Sequence, residues 1–422
     1  SPATALIMLA GIYYGAQYGG STTAILMNMP GEPSSSVTAI DGYKLARKGR
    51  AGPALATAAL GSFFAGTVAT VVIAVAAPPL ARYALKFGPP EYFSLMVMGL
   101  ICAVALAHGS VIKALGMVIL GLLFGLIGRD LFAGVDRFTF GVRDLTDGLE
   151  FASVAVGIFG IAEILRNLEN EQERTALVTK ITGLMPTKED LKRIVAPVLR
   201  GTTLGSVLGV LPGGGSILAA FAAYALEKRV SKTPEEFGQG AIEGVAAPES
   251  ANNAGAQTSF IPMLTLGVPT NPVLAVMMGA MILHDIIPGP QVITRNADLF
   301  WGVIASMWLG NAMLVILNLP LIGLWVRLLT IPYYVLFPAI IAFAAIGAYS
   351  IGSNSLELYS LAVFGGLGYV LVRVGCEPAP FLLGFILGPQ MEEHLRRALI
   401  ISRGDWTVLV TRPDRKSTRL NS

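Results

Sequence analysis

Three stretches of this sequence combine apolar length with residues that interrupt a helix and residues that hydrogen-bond. They are GIYYGAQYGGSTTAILMNMPGEPSSS over 11–36, GVLPGGGS over 209–216 and APESANNAGAQTSFIPMLTLGVPTNP over 247–272. Proline and clustered glycine break a helix. Broken backbone is tolerated at membrane depth only where it is buried in protein or lines a watery cavity. Half-helix N-termini there turn unpaired N–H groups toward a ligand, and such ends favour anions. One such break reads equally well as a kink or as tight packing of small residues. Three of them, enriched in Asn, Ser and Thr, point to binding. The candidate substrate-binding residues are Asn28, Pro30, Gly31, Ser34 and Ser35; Gly213, Gly214, Gly215 and Ser216; and Asn252, Asn253, Pro269, Thr270 and Asn271.

Between Glu243 and Asp285 the one formal charge is Glu249. An ionisable group at membrane depth is expensive and marks function by default. Glu249 is therefore the candidate ion-coupling residue, carrying a proton or helping to hold Na⁺ beside Asn252 and Asn253. The plainer alternative is a position in an interfacial loop. The spacing of Gly209 and Gly214 suggests a phosphate loop, but Gly215 stands where its lysine is required, which argues against nucleotide binding. His108, His284 and His394 are scattered, and Cys102 and Cys376 lie in apolar runs, so all five read as structural. No catalytic or metal-ligand set appears. The chain is read as a non-enzyme without a cofactor, coupled to H⁺ or Na⁺.

The elements that must position these groups follow from composition. The chain has 422 residues, 54% hydrophobic and 14% charged, with mean hydropathy +0.65. Soluble chains carry about 25% charged residues. Uncharged or nearly uncharged runs cover 54–81, 92–112, 114–128, 151–162, 195–226, 250–284, 300–326, 328–356, 358–372 and 378–391. Counting about 20 residues per crossing, they supply roughly ten to twelve transmembrane helices. The fold class is all-α, a polytopic membrane protein with broken helices.

The chain divides into a first membrane repeat over 1–165, a hydrophilic connection over 166–193 and a second repeat over 194–411. Residues 412–422 match no pattern of the rest and are set aside as a non-native tail. A common spacing carries Pro89 onto Pro332, Gly109 onto Gly352 and Gly125 onto Gly368, and a slightly smaller one carries NMPGEP (28–33) onto GVPTNP (267–272). Lys44, Arg47, Lys48 and Arg50 follow the first motif, whereas LHDIIPGP after the second has no Lys or Arg. Short basic loops stay cytoplasmic, so the two repeats are expected to be inverted in topology, with a site between them near the midplane.

The segments GIYYGAQYGGSTTAILMNMPGEPSSSVTAIDGYKLARKGRAGPAL, LPGGGSILAAFAAYALEKRVSKTPEEFGQGAIEGVAAPESANNAGAQTSFIPMLTLGVPTNP and LLGFILGPQMEEHLRRALIISRGDW resemble the large permease subunit of the tripartite tricarboxylate transporters. The resemblance runs from residue 1 to about residue 411. It implies a multi-pass bacterial inner-membrane permease that works with a small membrane subunit and a periplasmic solute-binding protein. It implies ion-driven uptake of citrate-like tricarboxylates and other small carboxylates, and no interaction with nucleic acid. The family carries a glycine-rich block whose first-half copy would precede residue 1, so the chain is expected to be truncated at its N-terminus. The competing reading is a stand-alone ion-coupled organic-anion carrier.

Overall fold

The computed structural model describes residues 2–28, 31–107, 110–130, 132–169, 183–211, 215–324, 333–352 and 354–409. Among the described residues the regular secondary structure is helical apart from one two-stranded ribbon, Gly128–Arg129 against Asp136–Arg137. The first half contains α1 (Pro2–Met27), α2 (Ser35–Leu45), α3 (Ala51–Ala84), α4 (Pro89–Leu106), α5 (Val111–Gly125), α6 (Phe151–Ala155) and α7 (Ala162–Glu169). A π-helical segment, Val156–Ile161, joins α6 to α7. The second half contains α8 (Lys188–Leu208), α9 (Gly215–Val230), α10 (Glu243–Thr258), α11 (Phe260–Leu266), α12 (Pro272–Leu283), α13 (Gln291–Arg295), α14 (Ala297–Asn318), α15 (Tyr333–Gly352), α16 (Ser355–Arg373) and α17 (Pro378–Ile401). The α8 helix begins inside the stretch read from sequence as a connection, and residues 170–182 of that connection lie outside the described residues.

The continuous helical run Ser35–Ala84, α14 and α16 are each long and apolar enough to cross a bilayer. Shorter apolar helices lie at Val111–Gly125, Val273–Leu283 and Phe337–Ser350. Large apolar side chains such as Val75, Leu309, Phe343 and Val363 are exposed, as a surface facing hydrocarbon requires. The interior carries the polar side chains: Ser34, Thr38, Glu249, Asn252, Asn253 and Thr270 are all buried. This is an all-α, multi-pass membrane protein turned polar-side-in.

Between helices in lipid there is little hydrophobic drive, so close packing of small residues has to hold them together. The α8–α10 contact is built this way. A Cβ on Gly201, Gly205 or Gly209 would lie 2.3, 2.2 or 2.4 Å from the carbonyl oxygens of Ala247, Ala251 and Gly255 in turn. Only hydrogen fits at those positions. The contact fixes the rotation and height of α10, and with them Glu249 and Asn252.

The two halves exchange partners in a second contact of the same kind. On α5 against α17, a Cβ at Gly125 would meet the Phe385 carbonyl at 2.4 Å, and one at Gly384 would meet the Val118 carbonyl at 2.4 Å. On α16 against the helix around Val156–Ile161, Gly368 stands in the same way to the Ile158 carbonyl at 2.6 Å, and Gly157 to the Leu361 carbonyl at 2.8 Å. Val118 and Leu361 are as far apart in the chain as Gly125 and Gly368, and Gly157 and Gly384 as far apart as Ile158 and Phe385. Each half thus repeats the other's packing with the partners swapped. Contacts advance together along both chains, Gly121 meeting Phe381 and Gly125 meeting Phe385, so α5 and α17 run parallel. Residues 374–377 alone join α16 to α17.

The basic end of the molecule is closed by polar contacts. Asp41 accepts hydrogen bonds from the amides of Gly238, Gly240 and Ala241 at 2.7–3.0 Å and from the Tyr224 hydroxyl at 2.8 Å. Arg193 pairs with Glu236 and Glu243, and Arg50 with Asp190. Burial pushes the Asp190 carboxyl up, but the Arg50 guanidinium and the Thr187 N–H and hydroxyl outweigh it and hold the group below its ordinary 3.8. Arg200, the lone cation of the 195–226 run, is neutralised by Glu227 at 2.5 Å.

Candidate functional site

The first motif breaks α1 from α2. Asn28 ends α1 with φ +56, a left-handed cap that Asn tolerates better than most residues. The chain then folds back along α1 rather than away from it. The Gly31 amide donates to the Gly20 carbonyl at 3.4 Å, and a Cβ on Gly31 would lie 2.7 Å from the Gly20 Cα. Glu32 is thereby set beside the middle of α1, and α2 starts at that depth. Ser35 turns inward on its own loop, its hydroxyl donating to the Glu32 carbonyl at 2.8 Å.

Two rungs join α2 to α10. The Ser34 hydroxyl donates to Asn252 Oδ1 at 2.8 Å, and the Thr38 hydroxyl donates to Glu249 Oε1 at 2.5 Å. Positions three or four apart share a helix face, which places both rungs in one stack. Asn252 Nδ2 donates to Glu32 Oε1 at 2.7 Å. Gln17 on α1, with its amide nitrogen turned toward the pair, donates to Glu32 at 2.6 Å and to Asn252 Oδ1 at 2.8 Å. Asn253 leaves the cluster: its Nδ2 donates to Ser62 on α3 at 2.6 Å and to the Glu249 carbonyl at 3.0 Å. Asn253 therefore braces α10 against α3, while Asn252 faces the carboxylates. Among the described residues, neither Glu32 nor Glu249 has a Lys or Arg partner, and Glu249 Oε2 has no hydrogen-bond partner. No group of three His, Cys, Asp or Glu residues suited to a metal occurs among them.

The second motif breaks α11 from α12 in the same manner. Gly267 ends α11 with φ +70, where the first motif has Asn28. Asn271 caps α12, its Oδ1 accepting from the Leu274 N–H at 3.0 Å, and its Nδ2 donates to the Tyr13 hydroxyl at 2.9 Å. Ser216 and Ser259 lie near the Tyr13 hydroxyl. Thr270 is fully buried and its hydroxyl has no partner among the described residues; Pro269 is buried beside it. At the start of α9, a Cβ on Gly215 would lie 2.3 Å from the Leu208 carbonyl. Pro30, Gly213 and Gly214 lie outside the described residues.

The structure thus gathers the sequence candidates into two neighbouring clusters. Ser34, Glu249 and Asn252 meet in an acidic one, and Ser216 and Asn271 meet in a neutral one around Tyr13. Asn28, Gly31, Ser35 and Asn253 shape the backbone or brace the helices. Glu32, Gln17, Thr38 and Tyr13 belong to the clusters and were not among the candidates. The signal for Glu32 was present, an ionisable residue between the two prolines of the first motif.

A cavity of about 1120 Å³ opens at the end of the molecule opposite Lys44–Arg50, lined by Gly88, Arg129, Leu266, Gly267, Pro288 and His394 among others. It reaches the second motif at Gly267. Its wall carries Asp130, Asp147, Glu150, Asp285, Glu392 and Glu393 against Arg129, Arg137 and Arg397.

The family model described as "Tripartite tricarboxylate transporter TctA family" matches residues 1–383. A protein of Agrobacterium vitis described as "Uncharacterized 52.8 kDa protein in TAR-I ttuC' 3'region" is 67% identical over 413 residues, 98% of this chain and 82% of its own length. A second Agrobacterium vitis protein, "Uncharacterized protein in TAR-II ttuC' 3'region", is 70% identical over 209 residues, 50% of this chain and 86% of its own length. No solved structure matches significantly. With its paired broken helices and its match over residues 1–383, the chain belongs to the TctA family of tripartite tricarboxylate transporters.

Proposed function

We propose that this chain is the large permease subunit of a binding-protein-dependent system and carries small, citrate-like carboxylates across the bacterial inner membrane. A small membrane subunit and a periplasmic solute-binding protein complete the system, and an H⁺ or Na⁺ gradient drives it. The observation that carries this reading is the pair of broken-helix motifs, each hydrogen-bonded to a helix of the other half, at Asn271–Tyr13 and Glu32–Asn252. Sites formed by discontinuous helices at a repeat interface are how secondary carriers hold anions and cations near the midplane.

A carboxylate in a low-dielectric site needs its charge compensated. The neutral cluster has no Lys or Arg among its members, so compensation falls to hydroxyl and amide donors: Tyr13, Ser216, Ser259, Thr270 and Asn271. The backbone N–H groups of Gly215 and Ser216, at the start of α9, add donors in this reading. Glu249 serves as the ion-coupling residue. The discriminating experiment is uptake of a panel of labelled di- and tricarboxylates by vesicles holding the three-part system, with and without a Na⁺ or pH gradient. Gradient-dependent uptake that needs the binding protein supports the proposal. Gradient-dependent uptake that proceeds without the binding protein favours a stand-alone carrier.

A further inference from the structure

We propose that Glu32 and Glu249 together form the cation site, each carboxylate taking one monovalent positive charge, H⁺ or Na⁺, so that the permease binds two such charges. This deepens the coupling role proposed for Glu249 alone and rests on that reading.

The two halves are related residue by residue around the site. At the spacing that carries Asn28 onto Gly267, Glu32 falls on Asn271, Tyr13 on Asn252 and Ala10 on Glu249. The Asn252–Glu32 hydrogen bond is therefore the Asn271–Tyr13 hydrogen bond with the halves exchanged, at 2.7 Å against 2.9 Å. One copy of the crossing is made by two neutral groups. The fold thus forms this contact without a charge, and the carboxylate at 32 is not required to close it. The same holds at 249, where the equivalent position is Ala10, also buried. Both acids lie on one side of the pseudo-symmetry, next to each other, and the other side has none.

Such a placement is unfavourable unless a cation is present. Glu249 is 1% exposed, and half-buried Glu32 is held beside it by Asn252, one helical turn on from Glu249. Two carboxylates in one site cannot both stay ionised without compensation. No guanidinium or ammonium group supplies it among the described residues. The acceptor atoms are set for a cation instead. Glu249 Oε2 is buried without a partner, and Asn252 Oδ1 and the hydroxyls of Ser34 and Thr38 stand beside the two carboxyls. An unpartnered carboxylate oxygen with hydroxyl and amide oxygens beside it suits Na⁺, and a buried carboxyl equally suits a proton.

The probe is the cation alone, with no carboxylate substrate and no partner subunit. Purified chain in detergent is tested for ²²Na⁺ binding and, in parallel, for protons taken up between pH 9 and pH 5. Wild type, Glu32→Gln, Glu249→Gln and the double variant are compared, so that all other titrating groups cancel in the differences. Each single variant is expected to bind one cation charge fewer than wild type, and the double variant two fewer. Loss seen as ²²Na⁺ identifies sodium, and loss seen only as protons identifies H⁺. Glu32→Gln keeps the hydrogen bond from Asn252 and decides the matter even if Glu249→Gln does not fold. If Glu32→Gln binds as many Na⁺ and as many protons as wild type, the second site is overturned. Failure of carboxylate transport in the vesicle assay would leave this result untouched, so the two proposals fail separately.

Discussion

Asn252 of the second half donates a 2.7 Å hydrogen bond to Glu32 of the first, and Asn271 repeats that bond to Tyr13 with the halves exchanged. One crossing carries a charge and the other does not. In the proposed mechanism the work divides on that line, with cations on the Glu32 side and the carboxylate on the Tyr13 side.

Glu249→Gln tests the cation side in transport. The amide keeps the volume and can still accept from Thr38, so expression and elution as a folded protein should stay near wild type. Gradient-driven uptake should be abolished. Normal uptake by this variant would remove Glu249 from the mechanism.

The anion side is tested at Asn271 and Tyr13. Asn271→Ala removes a hydrogen bond worth about 1 kcal/mol, or about 2–3 kcal/mol toward a charged partner. The expected loss of apparent carboxylate affinity is therefore roughly five- to hundred-fold. Tyr13→Phe should fall within the same range, since it deletes the hydroxyl that accepts from Asn271. Binding curves for both variants that overlay wild type would move the anion elsewhere.

Much of this site was legible in the sequence because helix breakers and polar residues stand out against apolar runs. Glu249 was visible as a lone charge, Asn252 as an amide close to it, and Asn271 as an amide beside a proline. Tyr13, Gln17 and Thr38 were not visible. They sit on uninterrupted helices, and nothing in their spacing tells a packing residue from a site residue until the opposite half is brought against them. The two asparagines at 252 and 253 look alike in sequence, and only the rotation of α10, set by Gly201, Gly205 and Gly209 on α8, decides that one faces Glu32 and the other Ser62. The helical class followed from composition, whereas the exchanged glycine contacts depend on pairings between segments far apart in the chain.

Those contacts give a paired stability prediction. Gly125→Ala and Gly368→Ala should each lower the melting temperature in detergent, because the added methyl meets a carbonyl oxygen at 2.4 or 2.6 Å. Overpacking of this kind costs about 1–3 kcal/mol. Gly366→Ala on the same helix meets nothing within 4 Å and should be neutral or mildly stabilising. Equal behaviour of Gly366 and Gly368 in thermal melts would contradict the packing described.

The Arg50–Asp190 pair predicts a pH dependence. Asp190 is held below its ordinary 3.8, so the folded state binds fewer protons there than the unfolded state. The stabilisation is present above about pH 4 and is lost as pH falls through the lowered value. Melting curves of wild type and Asp190→Asn should differ at neutral pH and converge in acid. A constant difference down to pH 2 would show that the carboxylate charge is not what stabilises this end.

That the broken motifs belong to two inverted halves meeting at one site is tested most directly by single cysteines at Ser36 and Pro288. Each is labelled in right-side-out and inside-out vesicles with a membrane-impermeant maleimide. Ser36→Cys should label only from the cytoplasmic side and Pro288→Cys only from the opposite side. Labelling of both from the same side would mean that the two motifs enter the membrane from one face, and the shared site would not exist.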